Sequence, residues 1–297
     1  MLHQHHKNTI RCLQKLPDET PQTAIFFLSG TLPATAILHE RQLGLFGMIT
    51  RLPNDPLNSH ARHALITAKH NSSSWFGKIR DLCLKYNLPH PLSLLDFPPS
   101  KTKYKSLIKS KITDFWEQRH RTEAAPMTSL LYFKPSYMSL ARPHPIWWTA
   151  GANPYEVAKA VVQCRMLSGR YRTLLLMSNW SENGERWCPS STCEGVDESL
   201  EHILLECPAY ATIRTNLREK FKSVKNEDLR ALAVSALHKP PAFCMQFLLD
   251  ATALSATHSL ISKMGEEILF PLFNLTRTWC YAVHRERLLI LKKKKTM

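Results

Sequence analysis

The sequence predicts an all-α fold, two helical lobes joined through a small Cys3His zinc-binding module. Three observations predict it. Apolar residues recur at helical spacing along most of the 297 residues. Glycine is scarce, at 9 residues, and the tight hairpins of an all-β chain need it. The 19 prolines cluster between the periodic runs and act as punctuation. A hydrophobic content of 44% is enough to bury a core and argues against wholesale disorder.

Taken in order, residues 34–51 repeat apolar groups at helical spacing. Asp55-Pro56 has the form of a cap followed by a first-turn proline and opens a helix expected to run through Lys69. Ser74 caps the next helix, whose stripe is Trp75, Phe76, Ile79, Leu82, Cys83 and Tyr86, and Asn87 ends it. Residues 88–99, LPHPLSLLDFPP, read as a proline-rich connector. A helix from Ser100 to about Arg121 has Tyr104, Leu107, Ile108, Ile112, Phe115 and Trp116 on its core side. Asn153-Pro154 opens a helix closed by Gly169. A short segment, RYRTLLLMS, leads to the cysteine cluster. Beyond it the pattern predicts helices at 209–222, 227–238 and 241–256. A long helix from 258 to about 290 follows, kinked or split at Pro271. The domain reading is a helical region 1–123, a proline-rich linker 124–153, the module with flanking helices 154–222, and a C-terminal helical region 223–297 with a basic tail.

Charge narrows the partners. Lys and Arg number 39 against 24 Asp and Glu, a net +15 and a pI near 9.6. Such a surface attracts RNA, DNA or an anionic membrane. The longest apolar stretch, Thr23 to Leu38, is broken by Ser29, Gly30 and Pro33, so it does not read as a membrane anchor. Nucleic acid is therefore expected ahead of membrane. MLHQHHKNTI has no apolar core, so a secreted protein is not expected.

Of eight cysteines, Cys12, Cys83, Cys164, Cys244 and Cys280 are scattered and read as buried thiols. The remaining three share 20 residues with a histidine. Cys188, Cys193, His202 and Cys207 are spaced C-x4-C-x8-H-x4-C, and three sulfurs with one imidazole suit a single tetrahedral structural Zn²⁺. The first pair flanks a turn, Asp197 is placed to cap the helix carrying His202, and Pro208 ends that helix at Cys207. All four positions being filled, a catalytic zinc is not expected. From Glu185 to Cys207 six acids face one base, Arg186, so the module repels phosphate. Nucleic-acid contacts are expected from its neighbours: Arg165, Arg170 and Arg172 before it, and Arg214, Arg218, Lys220, Lys222 and Lys225 after it. The zinc then staples and orients basic helices. The Lys292–Lys295 run reads as a solvated tail or a further basic patch.

TLPATAILHERQLGLFGMITRLPNDPLNSHARHAL, NPYEVAKAVVQCRMLSGRYRT, PLFNLTRTWCYAVHRER and the SLEHILLECPAY helix of the module together carry a resemblance. They resemble the region after the polymerase core of non-LTR (LINE-type) retrotransposon endonuclease–reverse transcriptases. The likeness runs from about residue 13 to residue 288, with the zinc pattern its most specific part. It implies a helical thumb-like region followed by a zinc-binding region, which in that family is thought to help hold template RNA and target DNA. It implies zinc ligands at Cys188, Cys193, His202 and Cys207, although the first pair is spaced more widely than the family's common C-x2-C. It also implies residence in nucleus and cytoplasm in turn. The polymerase carboxylates are missing: the eight aspartates include no adjacent pair. No P-loop, G-x-S-x-G or H-E-x-x-H stands in for them. The expectation is thus a non-catalytic, RNA- or DNA-binding fragment of such a protein. Two alternatives are a zinc-stapled scaffold that binds a protein through Trp147 and Trp148, and an unselected retroelement remnant.

Overall fold

The computed structural model describes residues 2–67, 74–180 and 184–296. The chain is all-α, 71% helical, with no strand among the described residues. Helices α1 (Leu2–Leu13), α2 (Gln22–Ser29), α3 (Ala34–Ile49), α4 (Pro56–Thr67), α5 (Trp75–Lys85), α6 (Pro91–Asp96) and α7 (Lys101–Ala124) come first. Then follow α8 (Pro145–Trp148), α9 (Pro154–Leu167), α10 (Leu174–Ser178), α11 (Ala211–Lys222), α12 (Glu227–Leu237), α13 (Pro241–Asp250), α14 (Ser255–Met264) and α15 (Leu269–Thr296).

The two caps read from the sequence, Asp55 and Ser74, form, and Ser100 and Asn153, read only as helix openings, cap their helices as well. Asp55 Oδ1 accepts from Leu57 N at 2.8 Å, Ser74 Oγ from Gly77 N at 3.0 Å, Ser100 Oγ from Lys103 N at 3.5 Å and Asn153 Oδ1 from Tyr155 N at 2.9 Å. The α4 helix is described to Thr67; Lys69, its expected end, lies outside the described residues.

Three expectations need correction. The 88–99 connector contains α6, because Pro91 stands at a helix start and His90 caps it by accepting from Leu92 N, which buries Leu94 and Leu95. The expected helix 241–256 stops at Asp250. That buried carboxylate accepts from both the backbone and the hydroxyl of Thr252, which competes with the helical ladder and turns the chain. Nor does Pro271 break the last helix. The break falls at Gly265, φ +82°, and Pro271 lies in the first turn of α15, where no intrahelical donor is needed.

The chain divides into two compact units, residues 1–8 with 31–125, and residues 9–30 with 126–297. In the first, α3 packs on α7 so closely that a Cβ at Gly47 would lie 2.1 Å from the Tyr104 ring. Tyr86, at the end of α5, ties the unit together: its hydroxyl accepts from Trp116 Nε1 at 3.3 Å and lies 2.6 Å from His39 Nδ1.

In the second unit α9 and α15 form the centre. Gln163 donates to the carbonyls of Leu248 and Leu249 and to Thr276, tying α9 to α13 and α15. Arg277 is buried and donates to Ile146 O, Thr149 and Glu156. The segment read as the linker 124–153 packs into this unit: Leu130, Phe133, Met138, Leu140 and Ile146 are buried, and His144 N donates to Leu28 O at 3.0 Å. Trp148 packs edge-on against Phe270, and Trp147 is half-buried.

Candidate metal centre

Two short stretches build the site. On the first, Cys188 N donates to Val196 O at 2.7 Å and Glu198 N to Arg186 O at 2.9 Å, around an isolated antiparallel pairing of Trp187 with Asp197. The loop between them turns through Cys193 N to Ser190 O at 3.0 Å and through Gly195, φ +71°. The wide x4 spacing is thereby folded back, and Cys188 and Cys193 face one place.

On the second stretch the helix is capped by Ser199, whose Oγ accepts from His202 N at 3.0 Å. Asp197 does not fill the capping role expected of it; it pairs with Arg186, Oδ1 to Nε at 2.6 Å. Residues His202–Glu206 form a π-helical turn closed by Cys207 N to His202 O at 2.8 Å. Five residues along an α-helix turn a side chain about 140° away. The wider π turn brings position i+5 back toward i, and Pro208 keeps the helix from continuing.

Cys188, Cys193, His202 and Cys207 are all buried, and their ligand atoms lie within 4.8 Å of one another. Cys207 Sγ is 3.7 Å from Cys188 Sγ and 3.6 Å from Cys193 Sγ. His202 Nε2 is buried without a hydrogen-bond partner, while Nδ1 faces the Glu206 carboxylate at 3.6 Å. Burial pushes the Cys188 thiol up to about 12 and raises Cys207 as well, with the neighbouring sulfurs adding to the effect at Cys188. Cys188 and Cys207 therefore resist ionisation unless a cation joins them. The group is one that can hold a metal ion.

Contacts that the sequence did not suggest lock the module in place. Glu198, fully buried, accepts from Arg287 at 2.9 and 2.7 Å and from Leu174 N at 2.6 Å. Trp279 Nε1 donates to Leu204 O at 3.3 Å. These partners sit 75 or more residues from the module on α15 (Leu174 excepted), so no local pattern announces them.

The eight basic residues expected to meet nucleic acid are placed unequally. Arg214 is buried, 6% exposed, and donates to Glu206 O at 3.1 Å against the module. Arg218, Lys220, Lys222 and Lys225 are exposed, with Lys222 paired to Glu219 at 2.7 Å. Arg165 and Arg170 are half-buried and Arg172 is exposed. The lysine run continues α15 as helix, and Lys294 pairs with Glu185 of the acidic module. Of the scattered cysteines, Cys83, Cys164, Cys244 and Cys280 are buried as expected; Cys12 is exposed. Among the described residues no helix is long and apolar enough to cross a membrane. Compared with protein-family models, curated proteins and solved structures, the chain matches none of them.

Proposed function

We propose that this chain is a non-catalytic nucleic-acid-binding protein whose basic helices are oriented by one structural zinc ion, as the likeness to LINE-type reverse transcriptases implies. The observation that carries the reading is the geometry of the buried Cys3His group. A tetrahedral zinc with Zn–S bonds of about 2.3 Å separates its sulfurs by about 3.8 Å, and two sulfur pairs here stand 3.7 and 3.6 Å apart. Cys188, Cys193, Cys207 and His202 Nε2 would hold the ion, with Glu206 orienting the imidazole through Nδ1. Bound zinc supplies the positive charge that lets the thiols ionise. Three thiolates and Zn²⁺ sum to about −1, and the buried guanidinium of Arg214 lies where it offsets that charge.

Arg214 also couples the module to its neighbour. It sits on the inner side of α11, and Arg218 and Lys222 follow at intervals of four on the part of the helix that emerges into solvent. A staple that fixes the first turn of α11 fixes the direction of its cations. Together with Arg165, Arg170, Arg172, Lys220 and Lys225 they supply phosphate contacts without a base-reading element, so binding is salt-sensitive and weakly sequence-specific. Trp147 and Trp148, the residues of the protein-scaffold reading, are both half-buried, Trp148 edge-on against Phe270.

Native mass spectrometry of the wild type and Cys207→Ser tests the zinc: one ion per wild-type chain is expected, and none in the variant. Electrophoretic mobility with RNA and nicked DNA at low salt tests the rest. Mobility unchanged by protein in both cases rejects nucleic-acid binding.

A further inference from the structure

We infer that the groove between the end of α9 and the middle of α15 is a preformed phosphate-binding site. The inference deepens the nucleic-acid reading by naming the place where a phosphate is held. The groove, of about 380 Å³, is lined by Lys15, Arg165, Arg170, Arg172, His284 and Arg287, and by no carboxylate.

Local geometry gathers these cations. The α9 helix ends in paired bonds, Arg170 N to Arg165 O at 2.9 Å and Gly169 N to Met166 O at 3.1 Å, closed by Gly169 at φ +65°. This turn brings Arg165 and Arg170 to one end of the helix. Arg287 Nη2 donates to Arg172 O at 2.9 Å and holds the next residues onto α15. Lys15, at φ +52°, turns its carbonyl to Arg165, which donates from Nε at 3.0 Å and Nη2 at 2.6 Å.

The charges are not answered by protein. Arg287 is neutralised by Glu198. Lys15, Arg165, Arg170 and Arg172 have no carboxylate partner among the described residues, and Arg170 Nε is buried with no hydrogen-bond partner. A helix C-terminus carries only about half a negative charge, so it balances a fraction of four cations. Proximity to Arg172 adds to burial in lowering Arg165, the mark of crowded like charge. An oxyanion accepting from two or more guanidinium groups relieves that crowding, and arginine's planar fork suits phosphate. A volume of about 380 Å³ falls within the range of small-ligand sites.

Phosphate reaches such a groove either as the terminal group of a strand or as an internal phosphodiester. The test uses three probes: inorganic pyrophosphate by calorimetry, and a labelled single-stranded RNA with a 5′-phosphate or a 5′-hydroxyl by fluorescence anisotropy. The proteins are wild type, Arg170→Gln/Arg172→Gln, and Lys105→Gln/Lys109→Gln on α7, two exposed lysines that do not line the groove. One pyrophosphate per wild-type chain is expected, weakened at least tenfold by the arginine pair and unchanged by the lysine pair. Unfolding curves check that each variant remains folded. A preference of tenfold or more for the 5′-phosphate assigns a terminal group; equal binding of the two RNAs, weakened by the arginine pair, assigns internal phosphates. Absence of pyrophosphate binding, or equal binding by wild type and the arginine variant, overturns the groove. If RNA binds undiminished by the arginine pair, the groove falls and the nucleic-acid reading stands. If pyrophosphate binds at the groove and RNA does not bind, the reverse holds.

Discussion

Glu198 is the residue on which the module's attachment turns. It is fully buried, and its carboxylate holds both the Arg287 guanidinium and the start of α10. Glu198→Gln keeps the shape and leaves a buried arginine without its counter-charge, an effect of about 3 kcal/mol when a buried pair loses one partner. Urea unfolding should show a lower midpoint of that order, with an unchanged slope. His284 sets a second, pH-dependent contribution. Burial, with Arg287 and Arg165 nearby, pushes it down to about 4, and Tyr171 lies 2.9 Å from Nδ1. The unfolded histidine titrates at about 6.5. Between those values the unfolded chain takes up a proton that the folded chain does not, so stability present above about pH 6.5 is lost as pH falls toward 4. Burial lowers His39 and His120 in the same direction. The melting temperature should therefore fall across that window, and His284→Gln should flatten part of the fall. An equally steep fall in the variant would exclude His284 as a source.

At the scale of the element, chain breaks are decided by what a residue meets as much as by its type. Gly169 and Pro271 make the contrast. Gly169 has φ +65°, and an added Cβ would lie 1.9 Å from Ser129 O, so Gly169→Ala should destabilise strongly and lower the melting temperature by several degrees. Pro271 sits in the first turn of α15, so Pro271→Ala should leave stability within about 0.5 kcal/mol. Comparable losses in both variants would contradict the assignment of the break to Gly265. The π turn at His202–Glu206 follows the same logic. Its extra residue per turn is what lets Cys207 approach Cys188 and Cys193. Helical starts were legible from Asp55, Ser74, Ser100 and Asn153, because a cap acts within three residues. The stop at Asp250 was not, because it depends on the burial of that carboxylate.

At the scale of the whole molecule, the four candidate ligands belong to the unit made of residues 9–30 and 126–297. Without the proposed zinc, the raised thiols of Cys188 and Cys207 stand beside the buried Arg214 guanidinium with no bound cation to draw off their protons. A chelator at neutral pH should lower the unfolding transition of that unit, read by the fluorescence of Trp279, and restoring zinc should recover it. The first unit, with its own core of Phe46, Ile79, Ile108, Ile112 and Trp116, should be unaffected. Loss of both transitions together would place the metal's influence beyond the unit that contains it.

The sequence by itself determined the helical class, most of the helix starts and the four candidate ligands. Each of these rests on spacing along the chain: periodicity for the helices, a few residues for a cap, and 20 residues for Cys188 to Cys207. Only the tertiary structure decided which cations stay in solvent. It buries Arg214 against Glu206, answers Lys294 with Glu185 and Arg287 with Glu198, and gathers Arg165, Arg170 and Arg172 at one groove. The physical reason is that charge and burial are set by neighbours in space. A basic residue reads the same in sequence whether its partner is water or a carboxylate 89 positions away.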